Sequence, residues 1–541
     1  MDRPFAITLE VGSSLANKTG TWRVERPRYV DRLPPCNHAC PAGENIQQWL
    51  YLAEDGSYEA AWRQIVEDNP FPAVMGRACF HPCQSECNRA RVDESVGINA
   101  VERFLGDLAV AEGWALPAPG PAGGRRILVV GAGPGGLSAA YHLRRLGHAV
   151  TVVDSSPLPG GMMRYGIPSY RLPRDVVTAE IDRIVGLGVE IRCSTRVDDL
   201  AAFMADGGFD AAFVAVGAQQ GRHADIPAGD SGRILDAVSL LRRTEEDDAP
   251  SVGRRVLVYG GGDTAMDAAR TARRLGAEEA VVVYRRTRAR MPANEEEVHD
   301  AMAEGVQLKW LSTVVGSAGE AFTIEKMELD DSGFPQPTGE FEVLRADSLV
   351  LALGQEADLA LFGGIDGVET AHDLVTVAAD QMTGHPGIFA GGDMVPGART
   401  LTDAIGHGKK AARGIDRWLR GERLPESNAK VLATFDHLNT WYYADAPHAV
   451  RPRLEAARRV STFDEVVGGL DESTALFEAR RCMSCGNCFG CDNCFGVCPD
   501  NAVRKVDERH GYAFDFDFCK GCGICVEECP CGAIEMVPEE I

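Results

Sequence analysis

Short apolar runs alternate with amphipathic segments in two parts of the chain. The first part has apolar runs at 126–130 and 149–153, with helical spacing between them at 137–146. The second has apolar runs at 256–259 and 280–284, again separated by a segment with helical spacing. A strand, a helix and a second strand in this order form a βαβ unit, whose strands pair in parallel. The pattern therefore predicts an α/β protein with two such units.

The turn after the first apolar run has the spacing of a dinucleotide-binding site. Gly131, Gly133 and Gly136 give G-x-G-x-x-G, and Asp154 ends the second run. The first glycine permits a tight turn, the second lets the backbone approach a pyrophosphate at the helix N-terminus, and the third allows close packing of helix on strand. The aspartate is placed to accept hydrogen bonds from a ribose hydroxyl. These features predict a dinucleotide site but do not separate FAD from NAD.

The second unit carries a variant of the same turn, and arginine replaces the acid. Gly260, Gly262 and Ala265 give G-x-G-x-x-A, which is a permitted variant. Because guanidinium groups bind phosphate bidentately, arginines at the end of the second strand favour NADPH over NADH. A solvated basic loop is the alternative, and acids near the helix start can simply stabilise that helix. The other candidate residues of this site are Asp263, Thr264, Arg285, Arg286 and Arg290.

Two cysteine runs near the C-terminus have the spacing C-x2-C-x2-C-x3-C-P. In this bacterial ferredoxin pattern, three thiolates hold one [4Fe–4S] cluster and the fourth reaches the other cluster. Zinc and disulfides are the alternatives, but tetrahedral zinc needs only four ligands and no fixed Cys-Pro ending. The spacing predicts two clusters, held by Cys488, Cys491, Cys494, Cys498, Cys519, Cys522, Cys525 and Cys529.

The composition indicates how many domains carry these motifs, which partners are excluded and where the protein is located. A chain of 541 residues is too long for one hydrophobic core, so several domains are expected. The formal net charge of −24 argues against nucleic acid and anionic membrane surfaces as partners. No apolar signal core lies in residues 1–20, and no stretch has the length of a membrane span, so no membrane insertion is expected. Cysteines that serve as cluster ligands fit a reducing cytoplasm.

The N-terminal part carries five more cysteines. Cys36-x3-Cys40 precedes Cys79-x3-Cys83-x3-Cys87, and segments with helical spacing lie between the two sets. The chain resembles the small (β) subunit of NADPH-dependent glutamate synthase over residues 36 to about 412, on the stretches CNHACPAGENIQQWL, NPFPAVMGRACFHPC, VGAGPGGLSAA, GGMMRYGIPSYRLP, GGGDTAMDAAR, VVVYRRTRARMP and IFAGGDMV. The resemblance implies FAD at the first dinucleotide turn, NADPH at the second, and N-terminal iron–sulfur clusters.

A later segment resembles the second FAD-contacting motif of flavoproteins with two dinucleotide domains. It reads Gly391-Gly392-Asp393 after an apolar strand. In that family the aspartate binds the ribityl chain of the flavin, and the following helix points its N-terminus at the isoalloxazine. A Gly-Gly-Asp hairpin without a ligand is the alternative. Gly161 and Arg164, which follow the first unit, complete the candidate FAD-binding residues.

The chain lacks the cysteine pair that disulfide reductases of this architecture place beside the flavin. No cysteine lies between Cys193 and Cys482, and Cys193 stands alone, as expected for a core residue. Clusters are therefore the expected one-electron outlets of the flavin.

The chain departs from the glutamate synthase family in one place. That family opens with R-C-x2-C-G, whereas here no cysteine precedes Cys36, and 481–486 (RCMSCG) resembles the missing opening. The family also has a non-thiolate cluster ligand, and Glu102 falls at its position. The alternative is a single N-terminal cluster, with the cysteines of 481–486 structural or free. We favour two further clusters, one on Cys40, Cys79, Cys83 and Glu102, and one on Cys36, Cys87, Cys482 and Cys485 that joins the chain ends.

The motifs divide the chain into domains. The connector contains an aromatic group at 441–443, for which a docking surface and a core anchor are equally expected. The predicted divisions are a helical iron–sulfur domain at 1–120, an FAD domain split into 122–235 and 352–425, an inserted nicotinamide domain at 236–351, the connector at 426–475, and a ferredoxin-like α+β module at 476–541.

Together these features predict an oxidoreductase that passes electrons between NADPH and an acceptor through FAD and [4Fe–4S] clusters. No catalytic acid or base is predicted, because the protein positions cofactors and tunes their potentials. The first hypothesis is the electron-input subunit of a hetero-oligomer such as a glutamate synthase or a 2-oxoacid:ferredoxin oxidoreductase, with a partner subunit or a soluble ferredoxin as acceptor. The alternatives are a free-standing NAD(P)H:ferredoxin or sulfur-compound oxidoreductase, and a non-enzymatic redox-sensing scaffold. The intact second turn and its arginines argue against the scaffold.

Overall fold

The computed structural model describes residues 18–21, 23–221, 233–246, 248–423, 430–506 and 511–539. Two five-stranded parallel sheets form its centre, one for each predicted βαβ unit, and the predicted α/β class is confirmed. The first sheet has the strand order Ile388–Ala390, Ala211–Val214, Arg126–Val130, Ala149–Val153 and Glu190–Arg192. The second has the order Gln307–Lys309, Glu279–Val283, Arg255–Gly260, Ser348–Ala352 and Arg233–Asp236.

The domain that holds the second sheet is inserted into the domain that holds the first. The chain leaves the first sheet after Ala211–Val214 and returns to it with Ile388–Ala390. The two crossing segments, Gln220–Gly221 and Gln355–Glu356, pair with each other as a short antiparallel ladder. Strand Arg233–Asp236 pairs within the second sheet, so it spans the predicted boundary after residue 235. Parts of the predicted domains lie outside the described residues, at 1–17, 22, 222–232, 247, 424–429, 507–510 and 540–541.

Two helices join the separated parts of the first domain. Helix Pro134–Arg145 packs on Leu401–Arg420 so closely that a Cβ on Gly408 would lie 2.3 Å from the carbonyl oxygen of Gly135. The other helices are Pro35–Ala39, Ile46–Glu54, Tyr58–Val66, Pro72–Ala78, Pro82–Ser85, Ile98–Glu112, Met162–Tyr165, Arg174–Gly186, Leu200–Gly207, Ala237–Glu245, Asp263–Arg274, Glu295–Ala303, Ala456–Arg459, Glu472–Ala479, Asn493–Val497 and Ile524–Glu527. Short 3₁₀ turns occur at Asn88–Arg91, Arg288–Arg290, Ala360–Phe362, Gly392–Met394, Phe435–His437 and Thr440–Tyr442.

One hydrophobic core unites the N-terminal helices with the first sheet. Trp49 and Trp62 of the N-terminal domain share this core with Val129 and Ile405. Lys409 on the long helix donates to the carboxylate of Asp68 at 2.8 Å across the same boundary. Burial of large apolar side chains across a boundary strongly favours a fixed arrangement, so the N-terminal domain is held rigidly against the first sheet.

Buried ion pairs connect the first domain to the inserted one. Arg171 donates to the carboxylate of Asp267 at 2.7 and 2.9 Å and contacts Glu297 at 2.6 Å. Arg274 lies over the Tyr170 ring, 3.6 Å from its centroid, and pairs with Glu304. Charges in such buried positions persist only when they are paired, so the network favours one orientation of the two domains. Asp267, one of the acids near the start of helix Asp263–Arg274, thus has a partner across the interface.

The two ends of the chain form a common sheet. Strand Glu25–Tyr29 pairs antiparallel with Ile534–Pro538, and the Tyr29 ring stacks on Phe514 at 4.6 Å between centroids. The Tyr29 hydroxyl also lies 3.3 Å from Cys494 Sγ. The ferredoxin-like module is therefore completed by a strand from the other end of the chain.

The remaining strands form small antiparallel units. The inserted domain carries a three-stranded sheet of Ser312–Ala318, Ala321–Leu329 and Pro335–Arg345. Two-stranded ladders pair Thr370–Ala371 with Leu374–Val375, and Val503–Lys505 with Tyr512–Phe514. Within the described part of the chain, no helix combines the length and the apolar character that crossing a membrane requires.

Candidate functional site

A cleft runs along the carboxyl ends of the strands in the first sheet, where ligands bind in open α/β folds. Two adjoining cavities of about 280 and 240 Å³ form it, and both have Asp154, Val216, Gly217 and Gln219 in their walls. The shared wall makes the cleft long rather than round. Its shape suits an extended ligand such as a dinucleotide.

The glycine turn at this cleft leaves no room for side chains. Gly131 has φ +107°, and a Cβ there would lie 2.3 Å from the carbonyl oxygen of Ala215. A Cβ on Gly136 would lie 1.8 Å from the carbonyl oxygen of Gly131, and one on Gly161 (φ +52°) would lie 2.7 Å from the Cα of Gly133. Gly133 directly precedes the twelve-residue helix Pro134–Arg145. The start of this helix therefore lines the cleft, which fits a pyrophosphate.

Asp154 fixes the turn from the end of its strand. Its Oδ2 accepts a hydrogen bond from the Ala132 N–H at 2.7 Å, and its Oδ1 accepts one from the Ser156 N–H at 2.7 Å. A carboxylate has about four acceptor positions, so capacity remains for a ribose hydroxyl. Because Asp154 lines both cavities, it stands at the middle of the cleft.

The Gly-Gly-Asp segment reaches the same cleft from the other part of the domain. Gly392 and Asp393 line the 240 Å³ cavity together with Leu401, in the first turn of helix Leu401–Arg420. Burial raises the pKa of Asp393, and Arg399 opposes the shift. The two parts of the split domain therefore place both flavin motifs around one cavity, as the resemblance implies.

Arg164, also a candidate FAD-binding residue, is not among the residues that line the two cavities. Its Nε donates to the carbonyl oxygen of Pro159 at 2.6 Å, and its Nη2 donates to the Thr178 hydroxyl at 2.9 Å. These bonds hold the loop that carries Gly161. In the structure Arg164 supports the wall of the cleft.

The second glycine turn opens onto the same cavity. A Cβ on Gly260 would lie 2.1 Å from the carbonyl oxygen of Ala352, whereas one on Gly262 would meet no atom within 4 Å. Asp263 and Thr264 line the 240 Å³ cavity that also contains the flavin motifs. Asp263 accepts from the Asn294 N–H at 2.8 Å, Thr264 accepts from the Gln355 amide at 3.1 Å, and Ala265 is fully buried. A nucleotide at the second turn would therefore point toward the flavin cavity.

The arginines after the second strand differ in their surroundings. Arg285 is exposed, and the Nε of Arg286 is buried without a hydrogen-bond partner among the described residues. Arg290 lies against Gly333, where a Cβ would come within 2.2 Å of its guanidinium. Arg288 pairs with Glu295. An orphaned guanidinium nitrogen beside an exposed one fits a bound phosphate.

The first N-terminal group lies beside the flavin cavity. It consists of Cys40, Cys79, Cys83 and Glu102. Burial, and then the nearby Cys79, Cys40, Cys36 and Glu102, raise the pKa of Cys83. The Thr402 hydroxyl, in the first turn of the long helix, donates to Cys79 Sγ at 3.1 Å. Ala78 and Phe80, on either side of Cys79, line the 240 Å³ cavity.

The second group joins both ends of the chain. Cys36, Cys87, Cys482 and Cys485 line one small chamber together with Leu50 and Ile98. Burial, and then Cys482, Cys87 and Cys485, raise the pKa of Cys36, and burial raises the pKa of Cys485 to about 12. The structure therefore brings together the four cysteines that the sequence analysis grouped across 449 positions.

Each ferredoxin-like run lies close to the fourth cysteine of the other run. Cys498 lines a chamber with Cys519, Cys522 and Cys525 of the other run. Burial raises the pKa of Cys494 to about 11, the Tyr29 hydroxyl opposes the shift, and Cys488, Cys491 and Cys529 add to it. Cys529 thus lies near the first run, as the predicted reciprocal arrangement requires.

The close grouping of these cysteines fits iron–sulfur clusters. All seventeen cysteines are free thiols in the structure. Burial and neighbouring cysteines raise the pKa of thiols such as Cys36 and Cys83, and a cationic iron core would supply the opposing charge. Among the described residues, no group of three Cys, His, Asp or Glu side chains is spaced to hold a single metal ion. One expectation is wrong: Cys193 is half-buried at the end of a short strand and is not a core residue.

Comparison with known proteins agrees with this architecture. The family described as pyridine nucleotide-disulphide oxidoreductase matches residues 125–408. The dihydropyrimidine dehydrogenase domain II, 4Fe-4S cluster family matches 28–114, and the 4Fe-4S dicluster domain matches 487–533. The chain therefore belongs to the pyridine nucleotide-disulphide oxidoreductase family and combines its FAD- and NAD(P)-binding domain with two 4Fe-4S domains.

Three relatives show more closely which group of oxidoreductases the chain belongs to. The chain is 37% identical to the β subunit of NADP(+)-dependent formate dehydrogenase of Moorella thermoacetica, over 83% of this chain and 70% of that one. It is 31% identical to the NADPH-Fe(3+) oxidoreductase β subunit of Geobacter sulfurreducens, over 85% and 76%. It is 32% identical to the glutamate synthase [NADPH] small chain of Escherichia coli, over 71% and 89%. The resemblance to glutamate synthase small subunits is confirmed, and the chain is a flavin and iron–sulfur oxidoreductase of that group.

Proposed function

We propose that this chain is the electron-input subunit of a larger oxidoreductase, which takes electron pairs from NADPH and delivers single electrons to a catalytic partner. The position of Cys79 carries the proposal. Its neighbours Ala78 and Phe80 line the cavity that both dinucleotide turns reach, and its sulfur accepts a hydrogen bond from Thr402. When bound, a flavin exchanges hydride with a nicotinamide and single electrons with clusters.

The same proposal assigns the ligands of four clusters. The first N-terminal cluster is assigned to Cys40, Cys79, Cys83 and Glu102. The second is assigned to Cys36, Cys87, Cys482 and Cys485. The two groups are neighbours, because Cys36 of the second group lies close enough to raise the pKa of Cys83 in the first. Electrons could therefore pass between the two clusters. The first C-terminal cluster is assigned to Cys488, Cys491, Cys494 and Cys529. The second is assigned to Cys498, Cys519, Cys522 and Cys525.

The nucleotide residues follow from the two turns. We assign FAD to Gly131, Gly133, Gly136, Asp154, Gly161, Gly392 and Asp393, and NADPH to Gly260, Gly262, Asp263, Thr264, Ala265, Arg285, Arg286 and Arg290. Arg164 supports the FAD loop through Pro159 and Thr178. The orphaned Nε of Arg286 supports the choice of NADPH.

The partner is a catalytic subunit in a hetero-oligomer. Two relatives that match more than four fifths of this chain are called β subunits, one of an NADP(+)-dependent formate dehydrogenase and one of an NADPH-Fe(3+) oxidoreductase. We therefore favour an α subunit of this kind over a glutamate synthase large subunit. Free thiols poised as cluster ligands support a reducing cytoplasm as the location. Co-purification of the tagged chain from its native host would identify the partner.

Anaerobic mixing with reduced nucleotides tests the input step. We expect NADPH to bleach the flavin absorbance of the holoprotein at a nucleotide concentration where NADH does so much more slowly. The physical reason is the phosphate contact at Arg285 and Arg286. Absence of bleaching by either nucleotide, in protein shown to contain flavin, would contradict the proposal.

A further inference from the structure

The aromatic segment of the connector is anchored at both ends to the ferredoxin-like module. The Asn439 amide donates to the carbonyl oxygens of Val526 at 3.1 Å and Cys529 at 2.9 Å. Leu438 is buried, and the Tyr443 hydroxyl donates to the carbonyl oxygen of Met483 at 3.1 Å. Met483 lies between two proposed cluster ligands. These contacts hold the turn between Asn439 and Tyr443 rigidly against the module.

The two aromatic residues inside that turn face solvent. Trp441 is 64% exposed and Tyr442 is 46% exposed, and their ring centroids are 6.0 Å apart. The Tyr442 hydroxyl donates to the carboxylate of Glu528, and this bond, with a smaller contribution from Cys491, raises the pKa of Tyr442. Single exposed apolar residues need no explanation, but a rigid pair of large aromatics is the composition of an interface centre. Cys491, which the pair adjoins, is itself exposed.

Exposed carboxylates lie on both sides of the pair in the chain and on a neighbouring helix. Asp436 and Asp445 flank it in the chain and are exposed, and so is Glu527 on the helix whose backbone Asn439 binds. Arg91 approaches Asp436 to 4.0 Å at one edge. The exposed carboxylates near Trp441 outnumber Arg91, and the chain as a whole has a net charge of −24. A surface of this kind attracts a partner with the opposite charge and speeds its association.

We propose that Trp441 and Tyr442, with Asp436, Asp445 and Glu527 around them, form the docking surface for a one-electron redox protein whose cofactor edge is ringed by basic side chains. The aromatic pair supplies the buried centre of the interface, and the carboxylates supply the rim. Cys488, Cys491, Cys494 and Cys529 would hold the cluster nearest this surface, and that cluster, when reduced, would supply one electron to the oxidised cofactor of the docked protein. The inference rests on the proposed function, since it needs a reduced cluster.

Cytochrome c is a suitable probe, because it is a small basic haem protein that accepts one electron. The holoprotein would be driven by NADPH, and ferricyanide would replace cytochrome c in parallel, since a small anion needs no protein docking surface. We expect Trp441→Ala to raise the KM for cytochrome c about ten-fold, the effect of losing one interface hot spot. We expect Asp445→Asn with Glu527→Gln to raise the same KM and to weaken its salt dependence. Phe341→Ala is the matched control, because Phe341 is 60% exposed on the distant antiparallel sheet.

The outcomes separate this inference from the proposed function. A lowered ratio of the cytochrome c rate to the ferricyanide rate in the Trp441 and carboxylate variants, but not in Phe341→Ala, supports the docking surface. Unchanged KM in all variants overturns it, as does a wild-type protein that reduces ferricyanide but not cytochrome c. If neither acceptor is reduced although flavin and clusters are present, the proposed function itself fails. If the Trp441→Ala variant does not fold, Asp445→Asn with Glu527→Gln tests the docking surface by itself, and an unchanged KM in that variant overturns it.

Discussion

Replacing Cys482 with serine is expected to lower the iron content of the anaerobically purified chain from about sixteen to about twelve atoms, while the flavin stays bound. Cys482 lines the same chamber as Cys36, Cys87 and Cys485, so its loss removes one ligand of that cluster. It lies outside the walls of the flavin cleft, which explains why FAD is retained. Iron, acid-labile sulfide and flavin would be measured on the same sample.

The variant should still fold, because other contacts hold the chain ends together. Strand Glu25–Tyr29 pairs with Ile534–Pro538, and Arg481 binds Glu478 and the carbonyl oxygen of Ser95. Cys193→Ser is the matched control, since Cys193 is half-buried and belongs to none of the four groups. Wild-type protein with only about eight or twelve irons, or unchanged iron in Cys482→Ser, would contradict the cluster that joins the chain ends.

Replacing Arg286 with alanine is expected to raise the KM for NADPH by about ten- to a hundred-fold and to leave the KM for NADH nearly unchanged. A hydrogen bond between charged groups contributes about 1.5–3 kcal/mol, and only NADPH carries the 2′-phosphate that would receive it. The Nε of Arg286 is buried without a hydrogen-bond partner among the described residues, which fits a phosphate contact that forms when NADPH binds. Steady-state rates with both nucleotides and ferricyanide as acceptor would measure the effect.

Arg288→Ala provides the comparison for this prediction. Its guanidinium already pairs with Glu295, so we expect it to change the nucleotide preference little. Equal losses with NADPH and NADH in Arg286→Ala would show that the residue supports the structure of the loop and does not select the nucleotide.

The local motifs were predictable from the sequence because each is complete within a short stretch. The two glycine turns need only a strand, a turn and a helix start, and the ferredoxin runs need only fixed cysteine spacing. The grouping of Cys482 and Cys485 with Cys36 and Cys87 came instead from a family resemblance, since no local pattern links positions so far apart. The structure brings the four side chains to one chamber.

Contacts between distant segments were not predictable. Strand Glu25–Tyr29 is short, so its pairing with the last strand gives no signal in the sequence alone. The ion pair of Arg171 with Asp267 joins two domains, and the hydrogen bond from Thr402 to Cys79 joins a helix start to a cysteine loop. The burial of Cys193 was not predictable either, because a single cysteine carries no periodic pattern that reveals whether it is buried.

The central claim is that NADPH reduces the clusters through the flavin, and electron paramagnetic resonance on the anaerobic holoprotein tests it most directly. NADPH with a regenerating system would be added, flavin absorbance followed, and the frozen sample compared with one reduced by dithionite. We predict that signals of reduced [4Fe–4S] clusters develop together with bleaching of the flavin. Full bleaching of the flavin without any cluster signal, in a sample whose clusters dithionite does reduce, would contradict the claim.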